Sequence, residues 1–275
     1  MTNLQEKTQR ALPDFLAKQK KDKGWLAVKS GVSLSVIEKM LDGQECEEHL
    51  WRQVFKFINP EIMDGVYITS DLQVGQNAAN AATNYHMMIG VTADTGMGKS
   101  MLAELLTQRD NCFLYTIQES TNPRVFLKDL LVLMREYGIG ETNGMLQSAA
   151  KRLNSLANPL VIIDEAGKLS NKMILCLHDL RNLTQKKCGM LLLGMPYFKN
   201  NLIKGKNTGR LGYAEFFRRI NIWEEFKGLS TAEIVYILQQ NGITDKEALR
   251  EYRMYNCIGD LMNSITKYKA LNDEL

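Results

Sequence analysis

Long apolar runs are missing from this 275-residue chain, and no stretch approaches the length a membrane span requires. The first residues are polar where a secretory signal would be apolar, so the expectation is a soluble, cytoplasmic protein without a membrane partner. Cysteine is sparse and scattered. Cys46, Cys112, Cys176, Cys188 and Cys257 are odd in number, form no C-x-x-C and have no nearby pair of histidines. That pattern argues against structural zinc and for reduced thiols. Charge of one sign is lacking too: a formal net charge of +3 permits a nucleic-acid partner where lysines cluster, but does not require one. What is present is 45% hydrophobic and 24% charged residues, enough for a real core. The length implies one larger domain with a smaller one beside it.

The most informative stretch is Val91-Thr92-Ala93-Asp94-Thr95-Gly96-Met97-Gly98-Lys99-Ser100. An apolar run short enough for a buried strand, Met87 to Val91, precedes it, and a helix-forming run from Met101 to Leu106 follows. Gly96 and Gly98 let successive backbone N–H groups face one anion at the positive end of the following helix. Lys99 is then placed to reach the β and γ phosphates, and the Ser100 hydroxyl to take one position on a magnesium ion. The match to G-x-x-x-x-G-K-[ST] departs once, with Ala93 where the first glycine is usual. The core G-x-G-K-[ST] arises by chance in roughly one chain in a hundred of this length.

A phosphate cradle of this kind needs a second element, an apolar strand ending in a carboxylate. Pro159-Leu160-Val161-Ile162-Ile163-Asp164-Glu165 supplies one, with Asp164 as the expected metal partner. Glu165 is the candidate to orient or deprotonate the attacking water. Two acids after a strand are by themselves as well explained by a solvated strand end.

At the N-terminal side, helical patterning covers Thr8 to Lys18, and Trp25 to Leu41 gives two apolar segments around Gly31. That reads as helix, tight turn, helix, with Ser33 capping the second helix, Asp42-Gly43 stopping it and His49 to Ile58 closing the bundle. The arrangement resembles the helix-turn-helix of lambda-repressor-like domains. The resemblance places Ser33, Leu34, Ser35 and Lys39 near a DNA groove, with Lys18, Lys20, Lys21, Lys23 and Lys29 near phosphates. The competing reading is a helical bundle for protein contact, and Trp25 fits a core better than a stacking platform.

Asn59 to Gly65 reads as a hinge, Val66 to Thr69 as a short extended piece, and Ser70 to Ala82 as a polar helix. Beyond the cradle, Cys112 to Ile117, Leu160 to Asp164 and Gly189 to Gly194 read as strands. They alternate with helices over Asn122–Tyr137, Thr142–Leu156 and Asn171–Thr184, which implies a parallel sheet with both faces covered. Pro196 to Tyr213 reads as a Lys- and Gly-rich loop, carrying Lys199, Lys204, Lys206 and Arg210. Arg218 and Arg219 lead into an edge strand, and from Thr231 three short helices form a small lid.

The cradle, the Asp-Glu strand, the Leu-Leu-Leu-Gly strand, the Arg-Arg-Ile segment and the lid together resemble the AAA+ ATPases. Their order and spacing are most similar to the transposition-regulator branch, typified by the phage Mu B protein and Tn7-type target-selection ATPases. The fold class implied is α/β: a P-loop AAA+ parallel sheet with helices on both faces, a C-terminal helical lid and an N-terminal all-α helix-turn-helix domain. The boundaries expected are residues 1–60, 61–228 and 229–275. In that family ATP binding with magnesium drives head-to-tail assembly on duplex DNA, and the oligomer presents target DNA to a transposase or recombinase.

Carried onto this chain, the resemblance makes Asp94, Thr95, Gly96, Met97, Gly98, Lys99, Ser100 and Met101 the nucleotide contacts, with Asp164 and, against the adenine, Tyr67 and Ile68. Ser100 and Asp164 become metal partners, Lys99 and Glu165 catalytic residues, and Arg218 or Arg219 the arginine finger offered to a neighbouring subunit. Arg124, Lys128, Lys168 and Lys172 are the candidate DNA contacts inside the assembly. Met195 stands where the family usually senses the γ phosphate with a polar residue, and Met262 where the lid often carries arginine. Both imply slow ATP hydrolysis. The alternatives are a helicase-loader-like ATPase and a nucleotide-gated, non-catalytic DNA-binding regulator.

Overall fold

The computed structural model describes residues 3–58, 67–245 and 250–271. The chain separates into two compact units, Met1–Ile68 and Thr69–Leu275. Among its described residues the first contains four helices, α1 (Asn3–Gln19), α2 (Lys23–Ser30), α3 (Leu34–Leu41) and α4 (Glu48–Ile58). Gly31 ends α2 with φ of 69°, a left-handed conformation glycine adopts without a Cβ clash. Asp22 caps the start of α2 by accepting the Trp25 N–H at 2.7 Å. Leu26, Ile37, Met40, Trp51 and Val54 are fully buried between the helices. Ser33 occupies the N-cap position of α3, yet its hydroxyl makes no cap bond and lies 3.2 Å from that of Ser35. Trp25 packs with Phe15 and Phe57, a core role in keeping with its sequence context.

The second unit is built on five parallel strands in the order β2-β3-β4-β1-β5. They are β1 (Met88–Thr92), β2 (Cys112–Thr116), β3 (Leu160–Asp164), β4 (Gly189–Gly194) and β5 (Ile220–Glu225). Every residue of β1, β3 and β4 is buried, as central parallel strands require when both faces are covered. The period of two sends Val161, Ile163, Met190 and Leu192 to one face. There they meet α7 (Pro123–Leu133), α8 (Thr142–Ser155) and α9 (Asn171–Thr184). The opposite face is covered by α5 (Ser70–Asn84) and α6 (Lys99–Thr107). Gly90 in β1 leaves room for Trp223 of β5: a Cβ there would lie 2.5 Å from the indole ring.

Of the expected loop 196–213, residues Pro196–Asn207 form a helix, α10, and only 208–212 are turns. Proline at the first turn supports its start, and Phe198, Leu202 and Gly205 share one buried face at spacings of three and four. The lysines occupy other faces, with Lys199 over the Trp223 ring and Lys206 over Phe217. After α10 come α11 (Tyr213–Arg219) and β5, then α12 (Thr231–Gln240) and α13 (Ile258–Leu271). A capping box at Ser230 and Glu233 starts α12. The expected hinge at 59–65 and residues 246–249 of the expected lid lie outside the described residues, and Tyr67 to Thr69 contain no strand. Among the described residues no helix is long and apolar enough to cross a membrane.

All five cysteines are free. Burial pushes the thiols of Cys112, Cys176 and Cys188 up to about 12. The folded state therefore keeps these protons above pH 9, where an unfolded chain releases them. The associated stability is present below pH 9 and is lost as pH rises toward 12. Native protein at pH 8 should show slow modification of these three by a disulfide reagent, with unfolding raising their rate at least a hundredfold. Urea melts from pH 9 to 11 should show falling stability, with a shallower decline for Cys188→Ala. An identical pH slope in the variant would contradict the assignment.

Candidate nucleotide site

The cradle forms where β1 ends and α6 begins. Gly96 and Gly98 have φ of 77° and 90°, the left-handed values that a turn of successive N–H groups demands and that residues with a Cβ rarely adopt. Ala93 donates its N–H to Gly194 O, so the loop's base is tied to the end of β4. That junction is a crevice at the carboxyl ends of the strands, where open parallel sheets place their ligands.

Lys99 is the first residue of α6 and is buried. Its Nζ donates to Ala93 O at 2.7 Å and Asp94 O at 2.8 Å. Burial lowers its pKa, while Asp164, Glu165 and Asp94 pull in the opposite direction. Ser100 follows and donates its hydroxyl to Asp164 Oδ2 at 3.2 Å. The other oxygen of that buried carboxylate accepts the Glu165 N–H at 2.8 Å. The register of β3 beside β4, and of β4 beside β1, is what brings Asp164 to the cradle.

Glu165 sits at φ of 56°, uncommon for a residue with a side chain, and opens the 3-10 turn Ala166–Lys168. Its carboxylate lies 3.4 Å from Lys168 Nζ. Lys168, expected to be free for DNA, is thus the partner of the candidate catalytic acid. Among the described residues no group of three or more His, Cys, Asp or Glu converges. A cation between Ser100 and Asp164 would take its remaining ligands from water and phosphate, as magnesium commonly does.

The lid's last helix rests on the cradle. Gly259 donates its N–H to Gly96 O at 2.9 Å, and the Cys257 thiol lies 3.4 Å from Thr95 O. Thr95 Oγ1 is 3.8 Å from the sulfur of Met195, so Met195 does face the loop, with a thioether in place of a strong polar group. A narrow cavity of about 10 Å³ opens beside Met97, Ile258 and Asp71. Asp71, which sequence reasoning passed over as one polar residue of a helix start, is buried. It accepts the N–H groups of Lys227 and Gly228 at 2.8 and 2.7 Å, fastening α5 to the segment that leads into the lid. No local signal distinguishes it, because acids near helix N-termini are common.

Arg218 and Arg219 end α11, immediately before β5, and Met88 at the start of β1 pairs with Ile220. The arginines therefore lie at the amino edge of the sheet, and the cradle at its carboxyl edge, about 16 Å away for a five-residue strand. They line a groove with Arg181, Lys186, His178 and Glu215, and Arg219 donates to Gln185 Oε1 at 3.3 Å. Arg181 is engaged structurally, donating to the carbonyls of Cys188 and His86.

The remaining candidates are dispersed. Lys29 and Lys39 are exposed on α2 and α3, Arg124 and Lys128 on α7, and Lys172 on α9. Tyr67 and Ile68 belong to the first unit.

Residues 83–202 match the model of the AAA domain family. The match takes in the cradle, the Asp-Glu strand and β4, while β5, the lid and the N-terminal unit fall outside it. The sheet order, the cradle after β1 and the acids after β3 make the second unit a parallel α/β P-loop fold, whose residues 83–202 are similar to the AAA domain family. No curated protein matches the sequence. Among solved structures, the Aeropyrum pernix Orc1 protein in complex with DNA is similar at 12% identity and a TM-score of 0.49. The likeness covers 67% of this chain and 52% of that one, so this chain spans about half the length of that protein.

The lid contact within the second unit is testable. A Cβ on Gly96 would lie 2.5 Å from Cys257 Sγ, on a backbone that disfavours one. Gly96→Ala should lower the unfolding free energy by about 1–3 kcal/mol in urea melts. Adding Cys257→Ala should recover the steric share and leave about 1 kcal/mol of backbone strain. A double variant that recovers no stability over Gly96→Ala would mean that the lid does not sit on the loop.

Proposed function

We propose that this chain is an ATPase that binds ATP with magnesium, assembles head to tail on duplex DNA and regulates the choice of target in transposition. The observation that carries the nucleotide part is the meeting of Lys99, Ser100, Asp164 and Glu165 at one end of the parallel sheet. Lys99 would exchange its two carbonyl partners for phosphate oxygens, a charge-assisted contact stronger than the neutral acceptors it leaves. Ser100 and Asp164 would hold the magnesium ion, which when bound neutralises charge on the β and γ phosphates. Glu165, held outward by its left-handed backbone, would orient the attacking water and accept its proton.

The separation of Arg218 and Arg219 from their own cradle supports a role toward a neighbour. A cation delivered in trans to a γ phosphate accelerates hydrolysis by about 10³–10⁵ in related enzymes, which would couple turnover to assembly. A head-to-tail contact closes only when its rotation divides a full turn, so a filament or ring is the expected product. The thioether of Met195 at the cradle, with Met262 in the lid, fits slow turnover. The DNA part rests on the helix–Gly31–helix of the first unit and on Arg124, Lys128 and Lys172. Such phosphate contacts would be largely blind to sequence. Tyr67 against the base, and a transposase or recombinase partner, complete the reading.

Sedimentation with duplex DNA tests it. The parent should pellet with DNA only when ATP and magnesium are present, and chelation should release it. Glu165→Gln should form longer-lived assemblies, and Lys99→Ala none. Equal DNA binding with and without ATP, or a steep ATP-dependent isotherm retained by Lys99→Ala, would refute the assignment. Raising salt from 50 to 200 mM should weaken binding at least a hundredfold if phosphate contacts dominate.

A further inference from the structure

A second concave site borders the turn that follows Glu165. It is a cavity of about 610 Å³ walled by the 3-10 turn, the start of α9, one face of α10 and the start of α11. A recess of this volume is within the range of small-ligand pockets. The buried side chains of Ile174, Phe198, Leu202 and Tyr213 close its inner end. Tyr213 is fixed there, since its hydroxyl donates to Asn171 Oδ1 at 2.6 Å and its ring fills the space above Gly205. That bond occupies the acceptor of Asn171 and leaves its amide N–H₂ as a donor.

The polar lining is one-sided. Lys204 and Arg210 both line the cavity, whereas no Asp or Glu does, and neither cation has a carboxylate partner among the described residues. Arg210 is held over the Tyr213 ring, 5.8 Å from its centroid, which sets the guanidinium at the edge of the recess. Asn201 adds a further amide at the rim. Two unpaired cations and amide donors around an apolar end fit a molecule with an anionic head and an apolar body.

We propose that this cavity is a binding site for a small organic anion, its phosphate or carboxylate held by Arg210 and Lys204 and its apolar part against Phe198, Leu202 and Tyr213. The site is distinct from the cradle, but its wall includes Ala166 and Gly167, the two residues that follow Glu165. Tyr197 of α10 packs on Gly167 so closely that a Cβ there would meet its ring at 2.5 Å. Occupancy is therefore placed to bear on the Glu165 turn. That consequence rests on the function proposed above, while the binding does not.

Titration of the full chain with 1-anilinonaphthalene-8-sulfonate, an aromatic anion whose fluorescence rises out of water, tests the site. One saturable site is expected. Its affinity should fall at least tenfold in Arg210→Gln and in the cavity-filling Asn201→Trp, and stay within twofold in Arg210→Lys and in Lys99→Ala. Both altered positions are exposed, so far-UV circular dichroism should be unchanged. Displacement by phenyl phosphate but not benzoate identifies a phosphate ester as the natural head, and the reverse identifies a carboxylate. Absence of saturable binding, displacement by neither compound, or unaltered affinity in Arg210→Gln and Asn201→Trp overturns the proposal. Loss of binding in Lys99→Ala would also overturn it, by placing the dye in the cradle.

Discussion

The hydrogen bond from Ser100 to Asp164 is the point on which the second unit's organisation turns. It joins the first turn of α6, the helix that follows β1, to the end of β3, through residues 64 positions apart in the chain and from strands separated by β4 in the sheet. Asp164 is buried, and a buried carboxylate is tolerable only when its oxygens are satisfied. One oxygen takes the serine hydroxyl and the other the backbone of Glu165, so the same carboxylate fixes the cradle and turns the next acid outward. Lys99 beside it is held by two carbonyls of the loop it belongs to, which keeps a desolvated cation paired.

Around that centre, the lid and the sheet meet through backbone rather than through side chains of matched charge. Gly259 reaches Gly96 main chain to main chain, and Asp71 grips two consecutive amides at Lys227 and Gly228. Contacts of this kind need close approach, which is why glycines stand at 96, 228 and 259. They also make the nucleotide loop sensitive to where the lid stands, since movement of α13 must break or keep the Gly259 bond. The cavity beside the Glu165 turn offers a second route to the same acid. Arg218 and Arg219 stand apart from this arrangement, at the far edge of the sheet.

Much of this was legible in the residues. The cradle is a local motif: glycines, lysine and serine at fixed spacing dictate a turn and a helix start whatever surrounds them, and α6 does begin at Lys99. The central strands were readable because full burial on both faces demands unbroken apolar runs, as in Leu160–Asp164 and Gly189–Gly194. Helix α9 was legible to its ends, since Ser170 caps it and its apolar positions recur at helical spacing. By contrast, α10 was hidden. Its lysines and glycines signal a loop in isolation, and only the burial of Phe198, Leu202 and Gly205 against neighbouring elements makes it a helix.

The sequence by itself determined the chemistry available: a loop able to wrap phosphate, a hydroxyl and two acids, and a parallel sheet to carry them. These follow from short-range spacing and from which side chains water rejects. Tertiary structure alone decided that Asp71 is a buried clamp and that Met195 and Cys257 face the loop. It also decided that Arg218 and Arg219 stand at the opposite edge of the sheet, because strand order and direction are set by how distant segments pack. Such neighbours are brought together by closing long loops of chain, and no local pattern of residues records which distant partner each will meet.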